Sequence, residues 1–195
     1  MKVLFVLGMA AMLGGCVGLS YELVKPGPVA VANGAMTVDP SGSWNKAPKL
    51  LVPLKSEEDW TRNGFMLDQV ELVGALADGD ALVKQRAKAD QQVPVFHATM
   101  TPTDLTSMIE ASYRIKGEAK VFNTISVKPV SFVGQSGMQF DYDYVGEDNI
   151  RWRGRAVMAI SGGKFYLMIL NGTALHYFDA ALPEFEAMTA SATIK

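Results

Sequence analysis

Apolar and polar residues alternate most cleanly in the last third of the chain. Met138, Phe140, Tyr142 and Tyr144 fall on one side, and Gln139, Asp141 and Asp143 on the other. This is the period-two pattern of a strand with one buried face. Residues 150–160 repeat it: Ile150, Trp152, Ala156, Met158 and Ile160 share a face, while Arg151, Arg153 and Arg155 take the opposite one. Gly162-Gly163 then turns the chain into 164–170. A two-residue turn there sets Ile160 opposite Phe165 and Met158 opposite Leu167, so the three strands form an antiparallel meander. The last strand is apolar on both faces, which calls for cover on both sides of the sheet. Phe178, Leu182, Phe185, Thr189 and Ala192 recur at threes and fours, a helix that packs on the meander. Pro183 predicts a kink or a break in it.

Upstream, the pattern is more broken. Residues 122–127 read as a strand, broken or bulged at Pro129, and 131–133 lead through Gly134-Gln135-Ser136-Gly137 into the meander. Thr101-Pro102-Thr103-Asp104 opens a helix: threonine caps it, proline suits its first position, and aspartate complements its N-terminal dipole. Leu105, Met108, Ile109 and Ser112 share a face, Tyr113 lies beside them, and Gly117 ends the helix. Residues 93–100 read as a strand and 85–92 as a loop. Asn63-Gly64 predicts a tight hairpin between Trp60-Thr61-Arg62 and a strand over 65–74. Asp78-Gly79 predicts another hairpin, into a strand at 81–84. Met36 to Val38 is a short strand ended by Asp39-Pro40-Ser41-Gly42.

The first residues follow a different logic. Lys2 precedes an apolar run over 3–13, closed by Gly14-Gly15-Cys16. A spanning helix needs about 20 apolar residues, so this run has the length of a signal-peptide core. Leu13-Gly14-Gly15-Cys16 resembles a bacterial lipobox. The resemblance implies removal of residues 1–15 and a lipid thioether on Cys16, and two or three acyl chains would make a durable anchor. An ordinary secretory signal would instead leave the chain's single cysteine as an unpaired, reactive thiol in an exported protein. In enteric lipoprotein sorting, aspartate after the cysteine retains a protein in the inner membrane. Val17 stands there, which points to the periplasmic side of the outer membrane. Residues 16–35, with Pro26-Gly27-Pro28, read as a tether; within them the Val-Ala alternation at 29–32 reads equally as an edge strand. Residues 36–195 then form a single domain.

Composition narrows the function. Removing residues 1–15 from the 195-residue chain leaves 180, enough for one well-cored domain. The net charge of −2, with no basic stripe, argues against nucleic-acid binding. With no cysteine beyond position 16, neither disulfides nor thiolate metal sites can form in the domain.

The order helix, strand, long meander and terminal helix, carried by Met138-Gln139-Phe140-Asp141-Tyr142, Trp152-Arg153-Gly154-Arg155-Ala156 and Gly163-Lys164-Phe165-Tyr166-Leu167, resembles the second half of PsbP-like domains over residues 93–192. The resemblance implies an α+β fold, an antiparallel sheet in an α/β/α sandwich, and a habit of acting as a binding or assembly module. It supplies no catalytic residues.

The residues suggest one constellation. If paired positions across the 138–145 and 150–160 strands sum to 294, Asp143 faces Arg151 and Asp141 faces Arg153 around an odd-length loop at Gly146-Glu147-Asp148. One reading is a salt-bridge ladder, partly under a helix. The other is that an unpaired member of Arg151, Arg153 and Arg155 contacts an anion or a partner carboxylate. His97 and His176 lack ligand spacing, so no metal site is expected. Gly134-Gln135-Ser136-Gly137 is not a nucleophile elbow, and Asn171-Gly172-Thr173 reads as turn chemistry. Trp152 is expected in the core; Trp44 and Trp60 are left open between core and pocket. The expected function is a non-enzymatic, membrane-anchored periplasmic lipoprotein, free of cofactors, that binds another envelope component. The alternative is a carrier or sensor of an apolar or anionic small ligand held between sheet and helix.

Overall fold

The computed structural model describes residues 20–52, 57–84, 92–116 and 119–194. Residues 1–15, expected to be a signal sequence, and Cys16 lie outside the described residues. The strands are β1 (Glu22–Val24), β2 (Val29–Val31), β3 (Met36–Val38), β4 (Trp44–Lys46), β5 (Glu57–Thr61), β6 (Asp68–Leu76), β7 (Val121–Phe132), β8 (Gln135–Val145), β9 (Arg151–Ser161), β10 (Lys164–Thr173) and β11 (Thr193–Ile194). The helices are α1 (Pro102–Lys116) and α2 (Tyr177–Ser191). Eight strands form one antiparallel sheet in the order β1-β4-β5-β6-β10-β9-β8-β7, and β11-β3-β2 form a small second sheet.

The doubly apolar β10 lies inside the large sheet, as its pattern demands. Phe165, Leu167 and Ile169 face α1, joining Leu105, Met108, Ile109 and Tyr113. Tyr166, Met168 and Leu170 face α2, joining Phe178, Phe185 and Met188. The small sheet adds Val31, Met36 and Val38 to that second core. The result is an α/β/α sandwich with two hydrophobic layers.

Local chemistry explains most boundaries. The Thr101 N–H donates to Asp104 Oδ2 at 2.8 Å, and the Asp104 N–H returns to Thr101 Oγ1 at 3.3 Å, a reciprocal cap at the start of α1. The β9–β10 turn pairs Ile160 with Phe165 and Met158 with Leu167, as the two-glycine turn requires. Val133 and Gly134, both at positive φ, make the β7–β8 turn one position earlier than the sequence suggests.

Other expectations are corrected. Pro129 does not break β7: the strand runs through it, because β7 is the sheet's outer edge and needs no amide donor on that side. The register shift falls instead between Thr124 and Ser126. Residues 81–84 and 93–100 are not strands; they meet only in the bridge Ala81–Val95. β6 already has β5 and β10 as neighbours, so no edge is open to them. The β5–β6 hairpin exists, but its connection spans 62–67 and not two residues. Asp68 closes it, accepting from Thr61 Oγ1 at 2.6 Å, the Arg62 N–H at 2.9 Å and the Asn63 N–H at 3.1 Å. Pro183 sits inside an unbroken α2. The tether expected over 16–35 is, from Glu22 onward, part of the fold: β1 pairs with β4, β2 pairs with β3, and Val31 is fully buried. The edge-strand reading of 29–32 is the one that the structure follows.

Glu184 ties α2 to the sheet's first strands. It accepts from the Gly42 N–H at 2.8 Å and Trp44 Nε1 at 3.2 Å, and pairs with Arg62 at 2.6 Å. Burial pushes its carboxyl up, but these hydrogen bonds and the Arg62 charge outweigh that and hold it below the usual range. Glu184→Ala should therefore cost about 1–3 kcal/mol in urea unfolding at pH 7. The difference from wild type should shrink as pH falls through the carboxylate range, because a depressed carboxyl contributes stability only while it is ionised.

Candidate functional site

The charged ladder is real, but its register differs by two residues. Asp141 faces Arg155 and Asp143 faces Arg153. The β8–β9 connection is five residues, 146–150, closed by Asn149 at positive φ and by a 2.9 Å bond from the Gly146 N–H to the Ile150 carbonyl. Arg155 grips Asp141 through two nitrogens, at 2.6 and 3.1 Å, and also pairs with Glu186 of α2. Burial pushes the Asp141 carboxyl up; hydrogen bonds from Arg155, Gln139 and Ser126 outweigh it and hold the group low. Arg153 pairs with Asp179 at 2.6 Å and lies 4.5 Å over the Phe178 ring. These two arginines clamp α2 to the sheet. Arg151, at the exposed end of the row, makes no ion pair among the described residues.

The histidines do not converge. His97 Nδ1 lies 3.5 Å from Asp78, which also accepts the Ala98 N–H; His176 packs edge-on against Tyr177 at the start of α2. Trp44 and Trp60 are fully buried core residues. Trp152 is buried too, yet with Tyr144, stacked on it at 6.0 Å, it borders a surface groove of about 350 Å³. Phe65, Met66, Gln69 and the 146–148 loop complete the groove. Beneath α1 the layer is tightly filled among the described residues. The cavity there is about 10 Å³, because Tyr113, Phe122, Phe140 and Tyr142 stack against one another and fill the layer. Among the described residues, packing leaves little room for a ligand at that point between α1 and the sheet.

Beyond the groove, on the same face of the sheet, lies a group that sequence reasoning missed. Alternation along β5 turns Trp60 toward α2 and therefore Glu57 and Asp59 toward the α1 side. Asp59 stands directly opposite Glu71 of β6. Carboxylate oxygens of Glu57, Asp59 and Glu71 lie within 4.8 Å of one another, and all three residues are buried. Glu71 is well supported: Tyr113 Oη donates to it at 2.8 Å, Asn171 Nδ2 at 3.3 Å, and Lys116 Nζ lies 3.3 Å away. Asn171 in turn donates to Tyr113 at 2.5 Å and accepts from Tyr142 at 3.0 Å. It is an interior strand residue, not the turn that Asn-Gly suggests.

Asp59 is the poorly matched member. It is 8% exposed; Gln69 bonds its carboxylate, but its Oδ1 has no hydrogen-bond partner. Burial, then the charges of Glu71 and Glu57, push its pKa from 3.8 to about 8, against a smaller pull from Lys116. In sequence, Glu57-Glu58-Asp59 looks like an exposed acidic run. Only the inward Trp60, taken with a hairpin register, could have revealed that two of these acids face a third across the strands.

The fold as a whole is that of the PsbP and Mog1 class of α+β sandwiches. The solution structure of CyanoP, the cyanobacterial PsbP from Synechocystis, is similar at 13% identity with a TM-score of 0.53, covering 97% of this chain and 99% of that one. The Ran-binding protein Mog1p of Saccharomyces cerevisiae is similar at 10% identity with a TM-score of 0.51, covering 90% of this chain and 96% of that one. LpqN of Mycobacterium tuberculosis, described as involved in cell envelope biogenesis, aligns at 12% identity with a TM-score of 0.33, covering 90% and 91%. No family model and no curated protein sequence matches the chain. The sandwich architecture is therefore shared with CyanoP and Mog1p; activity is not transferred by it.

Proposed function

We propose that the chain is a non-enzymatic binding module, held on the periplasmic side of a membrane by lipid on Cys16, that engages another envelope component through the aromatic groove. The observation that carries this reading is the groove itself. Phe65 and Met66 line it with apolar surface, the largely buried Tyr144–Trp152 stack forms its back, and Met66 is 69% exposed. Gln69, Glu147 and Asp148 supply a polar rim, the composition of a recognition patch. The Ran-binding yeast protein has the same sandwich, so the fold is compatible with protein binding. Arg151, exposed and without an ion pair among the described residues, is the arginine assigned to an anionic group of the partner or of the lipid surface. Arg153 and Arg155 serve the fold. Val17 after the lipidated cysteine favours the outer membrane.

A photo-crosslinking residue at Met66 in intact cells should capture one discrete envelope protein. The same residue at Lys164, exposed at the start of β10, should not. Equal yields from both positions, or none from Met66, would sink the docking claim; adducts with lipid alone would favour a carrier. Cys16→Ser should move the protein from the membrane fraction to the soluble fraction, and retention in the membrane would defeat the anchor.

A further inference from the structure

Three buried carboxylates share one small volume at Glu57, Asp59 and Glu71; Lys116 Nζ lies 3.3 Å from Glu71, and Lys49 Nζ donates to the Glu57 backbone carbonyl at 2.7 Å. The ion pair of Lys116 is with Glu71, and its charge reaches Asp59 more weakly than those of Glu71 and Glu57. Asp59 keeps an oxygen that is sealed from solvent and has no hydrogen-bond donor. Buried polar atoms are almost always partnered, so such an atom in a cluster of like charge calls for a ligand. The water-sized cavity under α1 reaches Glu71.

We propose that Glu57, Asp59 and Glu71 bind one hard divalent cation of calcium size. The donor set is all oxygen, which suits calcium or magnesium and not zinc; His97 and His176 lie outside the cluster. Calcium sits about 2.4 Å from each oxygen and accepts irregular coordination. Oxygens up to 4.8 Å apart can therefore share it. Magnesium needs near-ideal octahedral geometry at about 2.1 Å and keeps several waters, which this confined site has no room for. The ion would supply Asp59 Oδ1 with the partner it lacks and bridge β5 to β6, with Lys116 left to pair at the site's outer side. This inference is independent of the groove and of its partner.

The test uses the full chain, stripped with chelator and titrated with calcium chloride. For a Kd of about 10 µM, in the range of sensor sites, 1 mM calcium should raise Tm by about 5–10 °C. Terbium should show emission on tyrosine excitation, because the Tyr113 phenol is bonded to Glu71, and calcium should quench it by displacement. Asp59→Asn and Glu71→Gln should lose both responses. Asp59→Asn is expected to fold at least as well as wild type, so its silence cannot be ascribed to unfolding. No calcium response in wild type, or an undiminished response in both variants, overturns the proposal. A larger shift with magnesium or zinc than with calcium overturns the class of ion.

Discussion

Gly172→Ala should lower stability by about 3 kcal/mol or more, a fall in Tm of about 6–12 °C. Gly172 lies near the end of β10, where the chain leaves the sheet and folds back as α2. A Cβ at this position would overlap the Phe178 backbone nitrogen and lie 2.5 Å from Phe178 Cα and 2.9 Å from the Tyr177 carbonyl carbon. These are backbone atoms of the helix's first turn, so no rotamer change relieves the overlap. The whole helix would have to lift, and with it Phe178, Phe185 and Met188 from the α2-side core. Gly163→Ala is the control. Gly163 has φ +73 and nothing within 4 Å of its missing Cβ, so alanine there meets only backbone strain, about 1 kcal/mol. Thermal or urea unfolding of the two variants should differ at least twofold in cost. Equal losses would mean that α2 is not seated on the strand as closely as described.

The same junction shows what the sequence could and could not reveal. The β8–β9–β10 meander is legible because each strand has its own period and Gly162-Gly163 fixes one turn length. α1 is legible from its cap. The two-residue error in the arginine ladder comes from the one quantity that pattern does not encode, the length of the loop closed by Asn149. It moved the unpaired arginine from Arg155 to Arg151. Asn171-Gly172 read as a turn because those residues favour turns. Here asparagine is buried to bond Tyr113, Tyr142 and Glu71, and glycine is present for close approach. The first half was harder for a different reason. β1 to β6 are mostly short, and β1 pairs with β4 across nineteen residues of intervening chain. Local periodicity carries no information about such pairings. The carboxylate cluster shares that origin, since its members meet only through the β5–β6 register.

Asp59→Asn should stabilise the chelator-treated protein at pH 8 and remove most of its pH dependence between about 4 and 8. In the unfolded chain Asp59 ionises near 3.8; in the fold it holds its proton until about 8. Between those values the native state binds the extra proton, so its stability falls as pH rises, by up to about 1.4 kcal/mol per pH unit. Above about 8 both states are ionised and the slope from this group ends. The direction is opposite to that from Glu184 and Asp141, whose depressed pKa values cost stability on the acid side. Burial sets the sign first, and the facing charges add to it: Glu71 on β6 and Glu57 on its own strand oppose its charge, while Lys116 on α1 and the Gln69 hydrogen bond favour it more weakly. An asparagine keeps the hydrogen bond with Gln69 and adds no charge to the cluster. Urea unfolding at pH 5, 7 and 8.5 separates the cases: wild type should lose stability across the series, and Asp59→Asn should stay nearly level. A wild type that gains stability toward pH 8.5 would show that Asp59 is already compensated in the apo protein, and that the sealed Oδ1 has found a partner of its own.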